Sequence, residues 1–130
     1  MDYKELANIA VDAKFKALPT YSKFHVGAAL LTKAGKVYEA GNIETSSYSL
    51  TICAERTALF KAISEGEREF KAVAIASDDP GFCPPCGACR QVMNDLCGNI
   101  DVIMVNHKNE LKQMKLSELF PFPFGDENLK

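Results

Sequence analysis

A chain of 130 residues, 47% apolar and 25% charged, is long enough to bury a core of its own. Its net charge of -2 leaves no basic footprint, so neither nucleic acid nor an anionic membrane is expected as a partner. The opening stretch MDYKELANIAVDAKFKAL carries a charge every few residues and reads as neither signal peptide nor membrane span.

Tyr3, Leu6, Ala10, Ala13 and Ala17 recur at helical spacing and predict an amphipathic helix over 3–17, stopped by Pro19. FHVGAALLTKAGKVYEAGN reads as two strands joined at KAGK, with Gly35 available for positive φ in the turn. A helix is expected over CAERTALFKAISEG, closed by Gly66. KAVAIAS follows as a short strand, apolar enough to be buried on both faces. DDPGFCPPC is a loop, GACRQVMNDLCG a helix ending at Gly98, and DVIMV another buried strand. NHKNE makes a turn, LKQMKL reads as a last strand, and SELF as a final helical turn before PFPFGDENLK. Apolar strands alternating with helices predict a mixed sheet with helices on both faces, and an antiparallel pair from the early hairpin. No repeat, linker or low-complexity stretch divides the sequence, so residues 1–130 are expected to form one domain.

The five cysteines, an odd count without an export signal, point to the reducing cytoplasm, where disulfides do not persist. Cys86 and Cys89 form a C-x-x-C after Pro84 and Pro85, which alone could be a redox couple or half of a structural zinc site. Cys53 stands at another expected helix start, where unpaired N–H groups and the positive end of the helix dipole favour the thiolate. Three thiolates would hold a tetrahedral zinc ion with one position left for water. Cys83 could instead close the site, since CPPCGAC reads C-x-x-C-x-x-C, but a closed site leaves Glu55 and Arg56 unexplained. Cys97 lies about 12 Å further along the helix from Cys89 and is read as a core thiol.

Glu55, two residues beyond Cys53, is placed to hydrogen-bond that water and shuttle protons. Three thiolates leave a zinc centre with net negative charge, and Arg56 and Arg90 are positioned to draw some of it off by donating hydrogen bonds. His25 and His107 are read as structural or solvated rather than as ligands.

Cys-Ala-Glu at 53–55 followed by Pro-Cys-x-x-Cys at 85–89 is similar to the zinc nucleoside deaminases. More specifically, YSKFHVGAALLTKAGKVYEAGNIE, CAERTALFKAISEG and PCGACRQ resemble the small homotetrameric cytidine deaminases, a likeness running over residues 3–124. The resemblance implies a three-layer α/β/α fold around a mixed, mostly buried sheet of about five strands. It also implies a cytoplasmic homotetramer with one zinc per chain. The implied reaction is hydrolysis of cytidine and 2′-deoxycytidine to the uracil nucleosides and ammonia, in pyrimidine salvage.

Carried over by position, the resemblance makes Cys53, Cys86 and Cys89 the zinc ligands and Glu55 the proton shuttle. It sets Asn42 and Glu44 on a ribose hydroxyl, Phe24 beside the pyrimidine, and the Ala54 N–H on the base carbonyl. Phe124 falls where the family has an aromatic that reaches a neighbouring subunit's pocket. Two stretches depart from the family pattern, Thr45-Ser46-Ser47 after Glu44 and the added Cys83. Two other readings compete: a deaminase of a modified or antibiotic cytosine nucleoside, and a non-catalytic zinc-stabilised binding module, against which Glu55 argues. The aromatic tail, Phe120, Phe122 and Phe124, is expected to bury itself against the body or a partner subunit.

Overall fold

The computed structural model describes residues 1–129. Helix α1 (Tyr3–Ala13) begins where the Asp2 carboxylate accepts the Glu5 N–H at 2.8 Å, satisfying one of the donors that a helix start leaves free. It stops short of the expected Ala17. A 3-10 turn at Lys14–Lys16 takes the chain off the helical path, so that the Leu18 N–H reaches Asn42 O at 2.8 Å and Leu18 bridges to Ile43.

The strands β1 (Val26–Thr32), β2 (Val37–Gly41), β3 (Phe70–Ser77), β4 (Asp101–Val105) and β5 (Leu111–Lys115) form one sheet in the order β2-β1-β3-β4-β5. The β3–β4 pair is parallel and the other neighbours are antiparallel, which makes the sheet mixed as expected. The β1–β2 hairpin turns at Gly35, whose φ of 97° is open to glycine and strained for other residues. The first strand begins at Val26 rather than at Phe24, because beyond Val26 side chains take over the hydrogen bonds of the ladder.

Helices α2 (Ala54–Ser64) and α3 (Gly87–Cys97) cover one face of the sheet, α1 covers the other, and the short α4 (Leu116–Leu119) follows β5. The period of two along each strand decides which side chain serves which layer. Leu30, Val73, Ile75, Val102 and Met104 pack under α2 and α3. Ala29, Leu31, Ala72, Ala74 and Ile103 pack under α1. Burying each of the larger groups stabilises the fold by about 1.5–3 kcal/mol.

The alanine-rich face lets α1 come close. A Cβ at Gly27 would stand 2.2 Å from Ala10 O, so the contact between α1 and β1 depends on the missing side chain. The result is a three-layer α/β/α fold with both faces of β1, β3 and β4 covered. Among the described residues no helix is long and apolar enough to cross a membrane.

Candidate active site

The apolar strands leave the sheet and the polar work begins at the starts of two helices. Cys53 is the N-cap of α2 and Cys86 the N-cap of α3, both in extended backbone. Neither uses its side chain to cap the helix, so both sulfurs remain free for another partner. Cys89, one turn into α3 and fully buried, faces the same point. The three sulfurs lie within 4.8 Å of one another, with Cys53 and Cys86 3.5 Å apart. Cys83 is not in that group, so the closed four-thiolate alternative lacks its fourth member.

Three thiols packed this closely cannot all ionise unless a cation offsets the charge. Cys53 is drawn down to about 5, chiefly by hydrogen bonding with Cys89 and then by Arg56. Cys89 is pushed far above the ordinary thiol range, by sharing that bond with Cys53 and by burial. A dication bound by soft sulfur ligands removes this conflict, and a compact Cys₃ set matches the ligand preference of zinc. The residues therefore fit a zinc ion.

Arg56 Nη2 donates to Cys53 Sγ at 3.4 Å, as the charge argument requires. Its own pKa is raised, first by that bond to Cys53, and its Nε is buried without a hydrogen-bond partner among the described residues. Arg90 behaves differently from the expectation. Its Nε donates to Pro85 O and its Nη1 to Leu119 O, both at 2.9 Å, so it braces the backbone entering Cys86 instead of touching a thiolate. A guanidinium presents its donors in a fixed fork, and here the fork spans two carbonyls.

Glu55 sits in the first turn of α2 and is 5% exposed. Burial raises its carboxyl to about 7, with the Cys89 thiol and Arg56 pulling the other way. That value suits a group that must both accept and return a proton near neutral pH. Ala54, the first residue of α2, is fully buried, and its N–H is among those that helix geometry leaves without an internal acceptor.

A cavity of about 180 Å³ opens beside these groups, with Cys53, Ala54, Glu55 and Cys86 on one side and Val26 and Asn42 on the other. Thr51, also in its wall, is shared with an outer hollow of about 320 Å³ bounded by Tyr21, Ser22, Glu44 and Tyr48. Asn42 and Glu44 thus line two different spaces that share Thr51 in their walls. Asn42 already bonds Val26 N–H through Oδ1 and Phe24 O through Nδ2, at 2.9 and 3.0 Å. Glu44 accepts the N–H groups of Tyr21 and Ser22 and the Ser22 hydroxyl, which together hold its pKa down.

Phe24 is 38% exposed and does not line the inner cavity; Val26, two residues on, does. Phe124 likewise does not line the cavity of its own chain and is 57% exposed, while its carbonyl accepts Gln91 Nε2 at 2.8 Å. The two histidines are occupied elsewhere, His25 with Asp78 and His107 with Pro80 O. Cys97 is a partly buried thiol against the core, raised to about 12 by burial. The cavity walls Val26, Thr51 and Ile52 were not singled out by sequence, and Pro84 was named there only as leading into the C-x-x-C. Their signal was positional: each lies within two residues of a named site residue, or one strand alternation from Phe24.

The chain matches the family described as "Cytidine and deoxycytidylate deaminase zinc-binding region" over residues 1–106. It is 46% identical over 130 residues to a cytidine deaminase of Sporosarcina psychrophila, covering 99% of this chain and 96% of that one. A cytidine deaminase of Halalkalibacterium halodurans is 48% identical over 130 residues, covering 99% and 98%. The crystal structure of cytidine deaminase from Burkholderia pseudomallei superposes with a TM-score of 0.92 at 42% identity, covering 95% of this chain and all of that one.

Proposed function

The chain belongs to the cytidine and deoxycytidylate deaminase family, and on that premise we propose the residues with which it removes the amino group of cytidine. The enzyme is a zinc-dependent hydrolase of cytidine, releasing uridine and ammonia. 2′-Deoxycytidine is taken as well, residues 1–130 act as one catalytic domain, and the setting is pyrimidine salvage in the cytoplasm, where five free thiols stay reduced.

Cys53, Cys86 and Cys89 would hold the ion, which when bound supplies a Lewis acid and a water that is nucleophilic near neutral pH. Glu55 takes up the proton lost by the attacking water and passes it to N3 of cytosine. Once C4 is tetrahedral, Glu55 carries a second proton to the departing amino group. Its burial shields it from bulk water, and its raised pKa lets it both accept and return a proton near neutral pH. Arg56 steadies Cys53, and the Ala54 N–H meets the base carbonyl.

The inner cavity suits a pyrimidine ring and the outer hollow its sugar, with Asn42 and Glu44 on a ribose hydroxyl where the two spaces meet. Phe24 borders the base. Phe122 and Phe124 project from a tail tied to the body at Gln91, and Phe15, Tyr48 and Leu50 are also exposed. Four copies assembled through such surfaces would cover them, with Phe124 closing a neighbour's pocket. The observation that carries this reading is the buried Glu55 beside three converging thiols. Incubating the zinc-loaded protein with cytidine should give uridine and ammonia in equal amounts. Turnover of blasticidin S, with cytidine untouched, would overturn the substrate assignment.

A further inference from the structure

The chain just before β1 is held in an unusual way. The regular pairing with β2 and β3 stops at Gly27 and Val26, yet residues 24–26 keep a full set of hydrogen bonds. On the β2 side, Asn42 supplies both partners by its side chain, accepting from Val26 N–H and donating to Phe24 O. On the β3 side, Asp78 does the equivalent: its Oδ2 accepts the His25 N–H at 2.8 Å and its own N–H donates to His25 O at 3.1 Å. The same Oδ2 also meets His25 Nδ1 at 2.8 Å. Phe24 N–H is taken by Ser22 Oγ, which in turn donates to Glu44.

Two side chains, one on each side of β1, therefore complete the ladder past its last strand pair, helped on the β3 side by the backbone N–H of Asp78. Asn42 faces the inner cavity. Asp78 stands on the opposite side, by a separate hollow with Lys14, Phe15 and His25. What the two hold between them is the strip bearing Val26, a cavity wall, and Phe24. Asp78 also opens the loop that runs to Cys86.

We propose that Asp78 is a positioning residue for the deamination: through His25 it fixes the strip that carries Val26, a wall of the pyrimidine cavity, and the neighbouring Phe24. This rests on the deaminase reading. The ion pair with Lys14, 3.8 Å away and half-exposed, is incidental to that role; the acceptor on His25 N–H is what matters. Without it the strip keeps only the backbone bond from Asp78 N–H to His25 O on the β3 side, and His25 N–H is left without its acceptor.

The test uses the zinc-loaded full chain, with KM and kcat for cytidine and calorimetric Kd for uridine. Asp78→Ala is expected to raise KM and Kd about tenfold, the effect of one lost charge-assisted bond, with kcat within about threefold and zinc content unchanged. Asp78→Glu, which keeps the charge but moves the acceptor out by a methylene, should behave likewise and serves if the alanine variant does not fold. Asp78→Asn retains an oxygen for the His25 N–H but not the charge, and should recover most of the lost affinity, leaving KM within about threefold of wild type; His25→Ala, which keeps the N–H, should impair binding less than Asp78→Ala. A folded alanine or glutamate variant with unchanged KM would overturn the proposal, as would an asparagine variant as impaired as alanine. A wild-type protein that leaves cytidine intact would instead overturn the reading beneath it.

Discussion

Glu55 shows how much a single position can combine. Its place in the first turn of α2 puts it beside the Cys53 sulfur, while burial gives it a pKa of about 7. Glu55→Gln keeps the shape and the polar contacts but cannot carry a proton. The zinc-loaded variant should lose at least about a hundredfold in kcat, with metal content and circular dichroism unchanged. Near-normal turnover would remove Glu55 from the proton path. The thiols and Glu55 were legible in the sequence because helix-start chemistry is local: C-A-E and P-C-x-x-C carry their geometry with them. Arg90 was not, since its carbonyl partners Pro85 and Leu119 come from a loop and from α4, a meeting no spacing encodes. Asp78 escaped for the same reason. Its partner His25 is fifty-three positions away, and S-D-D-P reads only as a strand exit.

Between elements, two contacts carry expected consequences for stability. The first is the approach of α1 to β1 at Gly27. Gly27→Ala would place a methyl group against Ala10 O and Lys14 N, backbone that cannot yield without moving α1. Denaturant unfolding should show a loss of about 3 kcal/mol. The second is Asp101 at the start of β4, which accepts from Tyr3 Oη of α1 and lies 2.7 Å from Lys115 Nζ of β5. Burial pushes the Asp101 carboxyl up, but the bonds from Lys115 and Tyr3 outweigh it and its pKa is lowered. Burial and the bond to Asp101 raise Tyr3 to about 12. A depressed carboxyl pKa stabilises the fold fully above the unfolded value, near pH 4, and ceases to do so as pH falls through the folded value. The stability gap between wild type and Asp101→Asn should therefore be present at neutral pH and close in acid. A gap that widened as the pH fell would contradict the sign. The strands and helices themselves were readable from periodicity and glycine placement, with several ends shifted by a residue or more, α1 and β1 among them. Helix α1 ends early because Leu18 bonds Asn42 O, and β1 starts late because its first partners are side chains. Both are tertiary contacts, which set ends that local pattern cannot.

For the whole molecule, the tail and the exposed aromatics are the largest apolar groups left open to solvent. Phe122 is 97% exposed and Phe124 57%, although Gln91 anchors the segment that bears them. In the tetramer we propose, Phe124→Ala should raise KM for cytidine about tenfold, in keeping with the loss of one buried ring, and leave zinc content alone. Light scattering should give the mass of four chains, and a fully active monomer would refute the arrangement. Assembly is an expectation drawn from the tail's composition, and the resting place of each ring is not legible there, because residues of a groove far apart in sequence carry no spacing signal. The central claim is that three thiolates hold a zinc on which the chemistry depends, with Glu55 beside it. Its most direct test is cytidine turnover, followed by ultraviolet absorbance, as zinc is stripped by a chelator and then restored. Activity should vanish on stripping and return in proportion to zinc, reaching its maximum at one ion per chain. Undiminished turnover by protein shown to contain no metal would contradict it.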